Sequence, residues 1–522
     1  MKMKTIYNTF LILFSCMAIF SSCSEDRLDV EPFGKYAQDP DPNRPLDLNM
    51  IDGEARGLYS QVSWCYNTQW GYSTYVTFNS ASDDAVSGGA AAGDRPEYEA
   101  AEKFTLDPNN LGVINLWKRF YSGIGSCNKL LDNYPDKDID TLKRAKAEAK
   151  FLRAYYYFNL VNIFGPVPMP LKSTDLAEMP NTPIAEIYAQ IEKDLNDAIA
   201  SNGLPKSKKQ LSSVDLAITR ATEYTVRAFL GKVYVYHSTM LNENKWQDAK
   251  AQLEAVKNSG EYSLVTNFRS LWSSKNEMKD GNPESIFEAS YTDIYGENWG
   301  GVATGNLDMQ LMGIRDLQGY PGLDGGWGFC KPTQKLVDAF IAESDSIRLD
   351  ATVVAASWPA SIAEWEADKK LLPSLNSKGA KYSEPYDPTG YWNGKYRQDE
   401  HPLNADMYAQ NELIYRFSDV LLLLAETEYH LGNEAAALGY VNQIRDRVHL
   451  APKSSTGMQL LNDIRKERQL ELAMETQRYW DLIRWGLAAQ EIPNFKTSTK
   501  GLWPIPQEQL NVDPLLKQNE GY

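Results

Sequence analysis

Apolar residues recur three and four positions apart along several long stretches of the chain, which predicts a mainly helical protein. The strongest run covers 142–164, where Ala145, Ala149, Leu152, Tyr156, Leu160 and Ile163 share one face and Gly165-Pro166 stops the helix. Thr182 then stands at an N-cap position with Pro183 at the first helical one. The inner face of that second helix is Ile184, Ile187, Tyr188, Ile191, Leu195 and Ile199, and Asn202-Gly203 ends it. Similar patterns predict helices over 46–66, about 222–241, and 246–258, the last stopped at Gly260. They resume at 419–431, which ends at Gly432, and Asn433 is placed to cap a helix running to about 448. Two more follow at 458–475 and 478–490, ahead of an extended tail with two prolines.

Between these blocks the periodicity fails. The stretch 67–94 is polar, with Trp70, Tyr72, Tyr75 and a Gly/Ala tract at 88–93, and reads as a long loop. From 282 to 410 Gly, Pro, Trp and Tyr crowd together, as in IYGENWGG (294–301), GYPGLDGGWG (319–328) and YDPTGYWNGKY (386–396). The expected fold is therefore mainly α: a tetratricopeptide-like scaffold of helical hairpins with a large loop-rich insertion containing short strands. The likeness to that repeat is one of shape, since the match to its consensus is poor. One domain over 46–522 is expected, with helical parts at 46–281 and 411–522 around the excursion at 282–410.

Composition narrows the function. The 522 residues carry a formal charge of −16, which repels nucleic-acid phosphates and anionic headgroups. The start of the chain has Lys2 and Lys4, an apolar run from Phe10 to Phe20, then Ser21, Ser22 and Cys23. That run is too short to span a bilayer and has the layout of a secretory signal. A cut just before Cys23 resembles a bacterial lipoprotein signal, giving a signal peptide at 1–22, a lipid on Cys23 and a flexible acidic tether over 23–45. An ordinary signal cut near Ser22 is the alternative. Asp39, Asp41 and Asn43 do not make a calcium loop, because Arg44 and Met50 stand where Gly and Glu are needed. Cys65, Cys127 and Cys330 show no metal spacing; three small buried hydrophobic thiols are expected, with one bridge and a thiol left over as the alternative. No metal and no cofactor is expected. His237, His401, His430 and His449 lie well apart, and no HExxH, GxSxG, Walker or dinucleotide motif is present. The chain therefore reads as a non-enzyme, although 69 acidic residues leave room for a glycosidase carboxylate pair.

Several stretches resemble one family, the SusD-like (RagB) outer-membrane lipoproteins. They are AEAKFLRAYYYFNLVNIFGPVPMPL (147–171), IYRFSDVLLLLAETEYHLGN (414–433), VNQIRDRV (441–448), IRKERQLELAMETQRYWDLIRWG (464–486) and LWPIPQEQLNVDPLLKQNEGY (502–522). GGWGFCKPTQKLVDAF (325–340) adds a looser match. In the 464–486 stretch Glu467, Arg468, Glu471, Arg478, Asp481 and Arg484 interleave with apolar residues, so arginine–carboxylate pairs that lock the last helices are expected rather than a solvated face. The resemblance implies a cell-surface protein of the outer membrane that captures an oligosaccharide or polysaccharide. It also implies delivery to a SusC-like TonB-dependent transporter. The acidic residues behind Cys23 resemble the export signals of surface lipoproteins.

Sugar binding needs flat aromatic faces and planar polar groups on loops held by a rigid scaffold. Two loop regions offer both. The first supplies Asn67, Trp70, Tyr72, Arg95 and Tyr98, with Trp64 at the end of its helix; the second supplies Tyr295, Asn298, Trp299, Tyr320 and Asp324. Trp327 lies in a stretch that resembles family framework and is read as structural. Competing readings are a helical-repeat interaction protein, a binder of peptides or other nutrients that acts as a transporter lid without glycan affinity, and a glycosidase.

Overall fold

The amphipathic runs become helices close to their predicted bounds. The computed structural model describes residues 46–522 apart from 67–72, 176–177, 273–280, 293–304, 321–322, 324, 369, 385, 387 and 396–407. The signal, Cys23 and the tether lie outside the described residues. The main helices are α1 (Leu48–Tyr66), α2 (Thr74–Ser80), α3 (Pro96–Glu102), α4 (Leu111–Asn133), α5 (Asp140–Phe164), α6 (Ile184–Ala200), α7 (Glu223–Met240) and α8 (Trp246–Asn258). After the insertion come α9 (Gln334–Ala342), α10 (Ser346–Thr352), α11 (Phe417–His430), α12 (Glu434–Arg447), α13 (Gly457–Glu471) and α14 (Gln477–Arg484).

Successive helices stack as hairpins: α5 on α6, α6 on α7, α7 on α8, α8 on α11, and α11 on both α12 and α13. That is the tetratricopeptide-like arrangement. The centre of the stack is α11, whose Val420–Ala425 run is 0% exposed at every position. An apolar run with no polar face needs partners all round, and α7, α8, α12 and α13 provide them. Caps fix the ends. Thr222 Oγ1 accepts from Thr225 N while Thr225 Oγ1 accepts from Thr222 N, a reciprocal cap on α7. Gly165 closes α5 at φ 68, where a side chain would also run into Leu502 at 2.7 Å.

Some local readings change. Thr182 does not cap α6: its N–H donates to Val167 O across an isolated bridge, and Pro183 is the cap residue with no side-chain bond. Asn433 precedes α12, but its amide donates to Glu428. The predicted helix over 458–475 ends at Glu471, and the one over 478–490 splits into α14 and a single turn, Ala488–Glu491. The polar stretch 67–94 holds α2, capped by Ser73 and buried at all seven positions. Of the cysteines, Cys127 and Cys330 are free and buried.

Short strands organise the insertion: β1 (Ala85–Gly88), β2 (Ser285–Ala289), β3 (Phe329–Pro332), β4 (Val353–Ala355), β5 (Tyr391–Asn393) and β6 (Glu412–Arg416). β2 and β6 pair antiparallel, Ser285 opposite Arg416 and Ala289 opposite Glu412, so the insertion leaves and re-enters the helical stack at one place. β1 pairs with β3 and β4 with β5, both antiparallel. Ile314–Arg315 lies parallel to Gly325–Gly326.

The charged C-terminal stretch is locked inside. Arg468 bonds Asp419 and Asp481, Arg484 bonds Glu426 and Asp481, and Arg478 holds Asp83 through two bonds of 2.8 and 2.9 Å. Arg416 reaches Glu284 at 2.6 Å, Glu471 at 2.5 Å and Glu475 at 2.7 Å, and Arg447 and Arg348 also pair with Glu471. Phe268 and Trp272 lie against these cations, with Arg447 4.7 Å from the first ring and Lys395 4.2 Å from the second. Burial alone would raise Asp419 and Glu426, but Lys232 and Arg468 around the first and Arg484 beside the second hold both at about 2.

Candidate functional site

The two predicted loop regions are separated by some 200 residues, yet their anchoring residues meet. At the end of α1, Ser63 Oγ donates to Ser290 O at 3.0 Å, and Tyr291 Oη donates to Ser63 O at 3.0 Å. Thus the residues just before 67–72 are tied to those just before 293–304. On the far side of those segments, Ser73 N donates to Tyr98 Oη at 2.7 Å, and the Ser73 hydroxyl faces the buried Asp308 carboxyl. Asn306 pairs with Tyr408 across an isolated bridge and donates to Gln410 O and Glu412 Oε1. The described residues that flank 67–72, 293–304 and 396–407 therefore form one shared platform of hydrogen-bonded stems.

The centre of that platform is buried. Asp308 is 0% and Glu412 1% exposed. Burial pushes the Asp308 carboxyl well above the usual carboxylate range, and the Glu412 carboxylate beside it pushes in the same direction. Both effects oppose a negative charge on Asp308 beside Glu412.

The sequence-predicted residues divide three ways. Asn67, Trp70, Tyr72, Tyr295, Asn298, Trp299 and Asp324 lie outside the described residues, as does the side chain of Trp64. Arg95 lies at the junction: it precedes α3, is half-buried, and pairs with Glu97 at 3.3 Å. Tyr98 and Tyr320 are held from behind. Tyr98 is 0% exposed, its hydroxyl taken by Ser73 and its ring set edge-on to Phe329 at 5.6 Å. A tyrosine so enclosed is a core residue that carries the first loop and offers no face for stacking; its helix, α3, was not visible as amphipathic in the sequence. Tyr320 is half-buried against the cluster of Ile314, Val354, Leu375 and Trp392, and its hydroxyl donates to Pro373 O at 2.7 Å.

The strand pair β1–β3 brings together residues that sequence reasoning missed. Gly89 N donates to Gly328 O and Gly89 O accepts from Tyr386 N, so three chain segments meet at this turn. Asp94 Oδ2 accepts from Ala90 N at 2.8 Å, and Glu99 Oε1 accepts from Gly93 N at 2.6 Å, which sets the tract 88–94 in one shape. Gly89 has φ 105, and a Cβ there would fall 2.6 Å from the Phe329 ring, so only glycine fits. Arg315 Nη2 donates to Trp327 O at 2.6 Å and stands 3.6 Å from Asp94 Oδ2. Lys103 lies 5.4 Å from the centre of the Tyr386 ring and also pairs with Glu99. No local pattern marks Arg315 or Asp94, because only the fold brings their two distant segments together. Among the described residues no group of three or more His, Cys, Asp and Glu has a metal-holding arrangement.

Comparison with known proteins bears on the architecture. Residues 283–500 match a family model described as the SusD family, and residues 60–235 match one described as "starch-binding associating with outer membrane". The chain is 26% identical to SusD-like protein P38 of Formosa agariphila over the whole of both chains. It is 25% identical to starch-binding protein SusD of Bacteroides thetaiotaomicron over 74% of each. Among solved structures, a laminarin-binding SusD-like protein superposes with a TM-score of 0.75 at 29% identity, covering 91% of this chain and 99% of that one. The two family matches share out most of the helical stack and the insertion between them, with the locked C-terminal arginines inside the second. Two models of SusD-type proteins thus match this chain on either side of residues 236–282, and the relatives it resembles along its length are SusD-like.

Proposed function

We propose that this protein captures glycan at the cell surface and hands it to a SusC-like TonB-dependent outer-membrane transporter. The observation that carries the reading is the likeness to the laminarin-binding SusD-like protein over nine-tenths of this chain. The starch-binding relative and the family description "starch-binding associating with outer membrane" point the same way. Binding is proposed at the two sequence regions whose described flanks share the platform, with Trp70, Tyr72, Tyr295 and Trp299 as stacking faces and Asn67, Arg95, Asn298, Tyr320 and Asp324 supplying polar contacts and walls. A platform tied together by hydrogen bonds between distant segments suits this task, since stacking and hydrogen bonding gain most when little ordering is left to do on binding.

The role needs no chemistry on the sugar, so the protein acts as a binder and not as a hydrolase. A lipid on Cys23 with the acidic tether behind it would hold the body at the outer face of the outer membrane, in reach of its transporter. The test is a screen of the 24–522 fragment against a panel of polysaccharides that includes laminarin and starch. Binding to at least one of them, without new reducing ends, supports the proposal. Trp70→Ala and Trp299→Ala should each weaken it, and retention of parental affinity by both would remove the assigned face. Cys23→Ala should abolish lipid labelling and membrane retention while leaving the body folded.

A further inference from the structure

Arg315 and Asp94 come from segments 221 positions apart and face each other at the β1–β3 junction. Their pairing is loose, 3.6 Å between Nη2 and Oδ2, and the side chains keep 24% and 34% of their surface exposed. Neither group is spent on the other. The guanidinium gives one bond, from Nη2 to Trp327 O, and its Nε is buried without an acceptor among the described residues. The carboxylate uses Oδ2 to hold the Ala90 turn, and its Oδ1 takes no hydrogen bond among the described residues. A planar donor fork thus stands beside a planar acceptor, each with unused capacity and each fixed from behind by backbone.

Fixing from behind distinguishes this pair from an ordinary surface ion pair. Exposed pairs are usually mobile and contribute little, because two long side chains must be ordered to form them. Here Trp327 O already orients the guanidinium, and the Gly88–Asp94 turn already orients the carboxylate. Resting on the glycan-binding reading, we propose that Arg315 and Asp94 form a clamp for a vicinal diol of the bound sugar. Arg315 donates two N–H groups to the adjacent hydroxyl oxygens, and Asp94 accepts a hydroxyl proton through Oδ1. Neutral hydroxyls are both donors and acceptors, so a fork of donors next to an acceptor matches a diol better than it matches a carboxylate or a sulfate, which would face Asp94 with like charge. The pair selects for sugars whose neighbouring hydroxyls are both free.

The test uses the full chain and the polysaccharide it binds most tightly in the panel, offered both native and O-methylated. Arg315→Gln and Asp94→Asn are expected to lower affinity for the native glycan by tenfold or more, with the unfolding midpoint unchanged. Arg315→Lys keeps the charge without the fork and should fall with them. The parent should prefer the native over the methylated glycan, and Arg315→Gln should lose that preference. A merely structural role would lower both glycans alike and shift the unfolding midpoint, which would overturn the clamp. Parental affinity in both variants, with binding by the parent intact, would overturn the clamp and leave the glycan reading standing. Failure of the parent to bind any glycan would overturn both.

Discussion

Asp84→Asn is expected to stabilise this protein at neutral pH and to weaken it by about 1–2 kcal/mol at about pH 4, where only the cost of the unpaired amide remains. Asp84 lies between α2 and β1, 1% exposed, with Oδ1 accepting from Gln469 and Oδ2 left without a partner among the described residues. Burial pushes its carboxyl up from 3.8 to about 6, and the neighbouring Asp83 carboxylate adds to the push. A rise of that size is worth about 3 kcal/mol of stability lost once the group is forced to ionise. The sign follows from proton binding: between about pH 4 and pH 6 the folded chain holds a proton the unfolded chain has released, so stability falls as pH rises through that window. Above pH 6 the cost is fully present. The asparagine removes it, keeps the acceptor for Gln469, and adds amide hydrogens without an acceptor, costing about 1–2 kcal/mol. The net gain should be about 1–2 kcal/mol at about pH 7.5. Urea midpoints of parent and variant, taken from about pH 4 to about pH 7.5, read it directly. A variant weaker than the parent by the same margin at every pH would show that Asp84 is stabilised as a carboxylate, and the reasoning would be wrong.

Arg416→Met removes the cation shared by Glu284, Glu471 and Glu475 and should cost about 3–5 kcal/mol, because three buried carboxylates lose a partner; a loss under 1 kcal/mol by denaturant titration would refute the charged core as a unit. His237 lies between Glu192 at 2.5 Å and Glu243 at 3.0 Å; burial lowers its pKa, but the two carboxylates outweigh this and raise it. Its stabilisation is complete below the unfolded value of about 6.5 and fades as pH rises through the raised folded value, so His237→Asn should flatten the melting temperature between about pH 6 and pH 9. Gly123→Ala would set a Cβ 2.5 Å from the Tyr156 ring and should cost about 1–3 kcal/mol, whereas Gly125→Ala meets nothing within 4 Å and should gain up to about 1 kcal/mol. Equal melting shifts for the two alanines would show that α4 does not pack on α5 as described.

The helical stack was legible because its signals are local. The apolar period of α5, the Thr222 cap and the glycines at 165 and 432 each act within a turn or two of the chain. Helix α4 keeps the same period through Val113, Leu116, Phe120, Ile124, Cys127 and Leu130, but Gly112, Gly123 and Gly125 lower its helix propensity and hide it. Helix α2, TYVTFNS, has no polar face at all, since all seven residues are buried, and its β-branched content reads as strand or loop. At the candidate site Arg95 stood out as a loop cation, whereas Tyr98 looked available and is a core residue. Arg315 and Asp94 gave no signal, because what makes them a pair is the approach of two distant segments in the fold.

The buried arginine–carboxylate lattice also sets the order in which this chain can become a protein. Glu284 is neutralised by Arg416 and Arg447, Lys232 by Asp419, and Lys395 by Glu475. A nascent chain that ends near residue 410 holds one half of each pair and none of the other. Closing the core at that stage would bury isolated charges, so the first four-fifths of the sequence cannot reach a stable native state before the rest is made. Folding of this chain therefore waits for its last hundred or so residues, and any step that needs an unfolded thread has until then to finish.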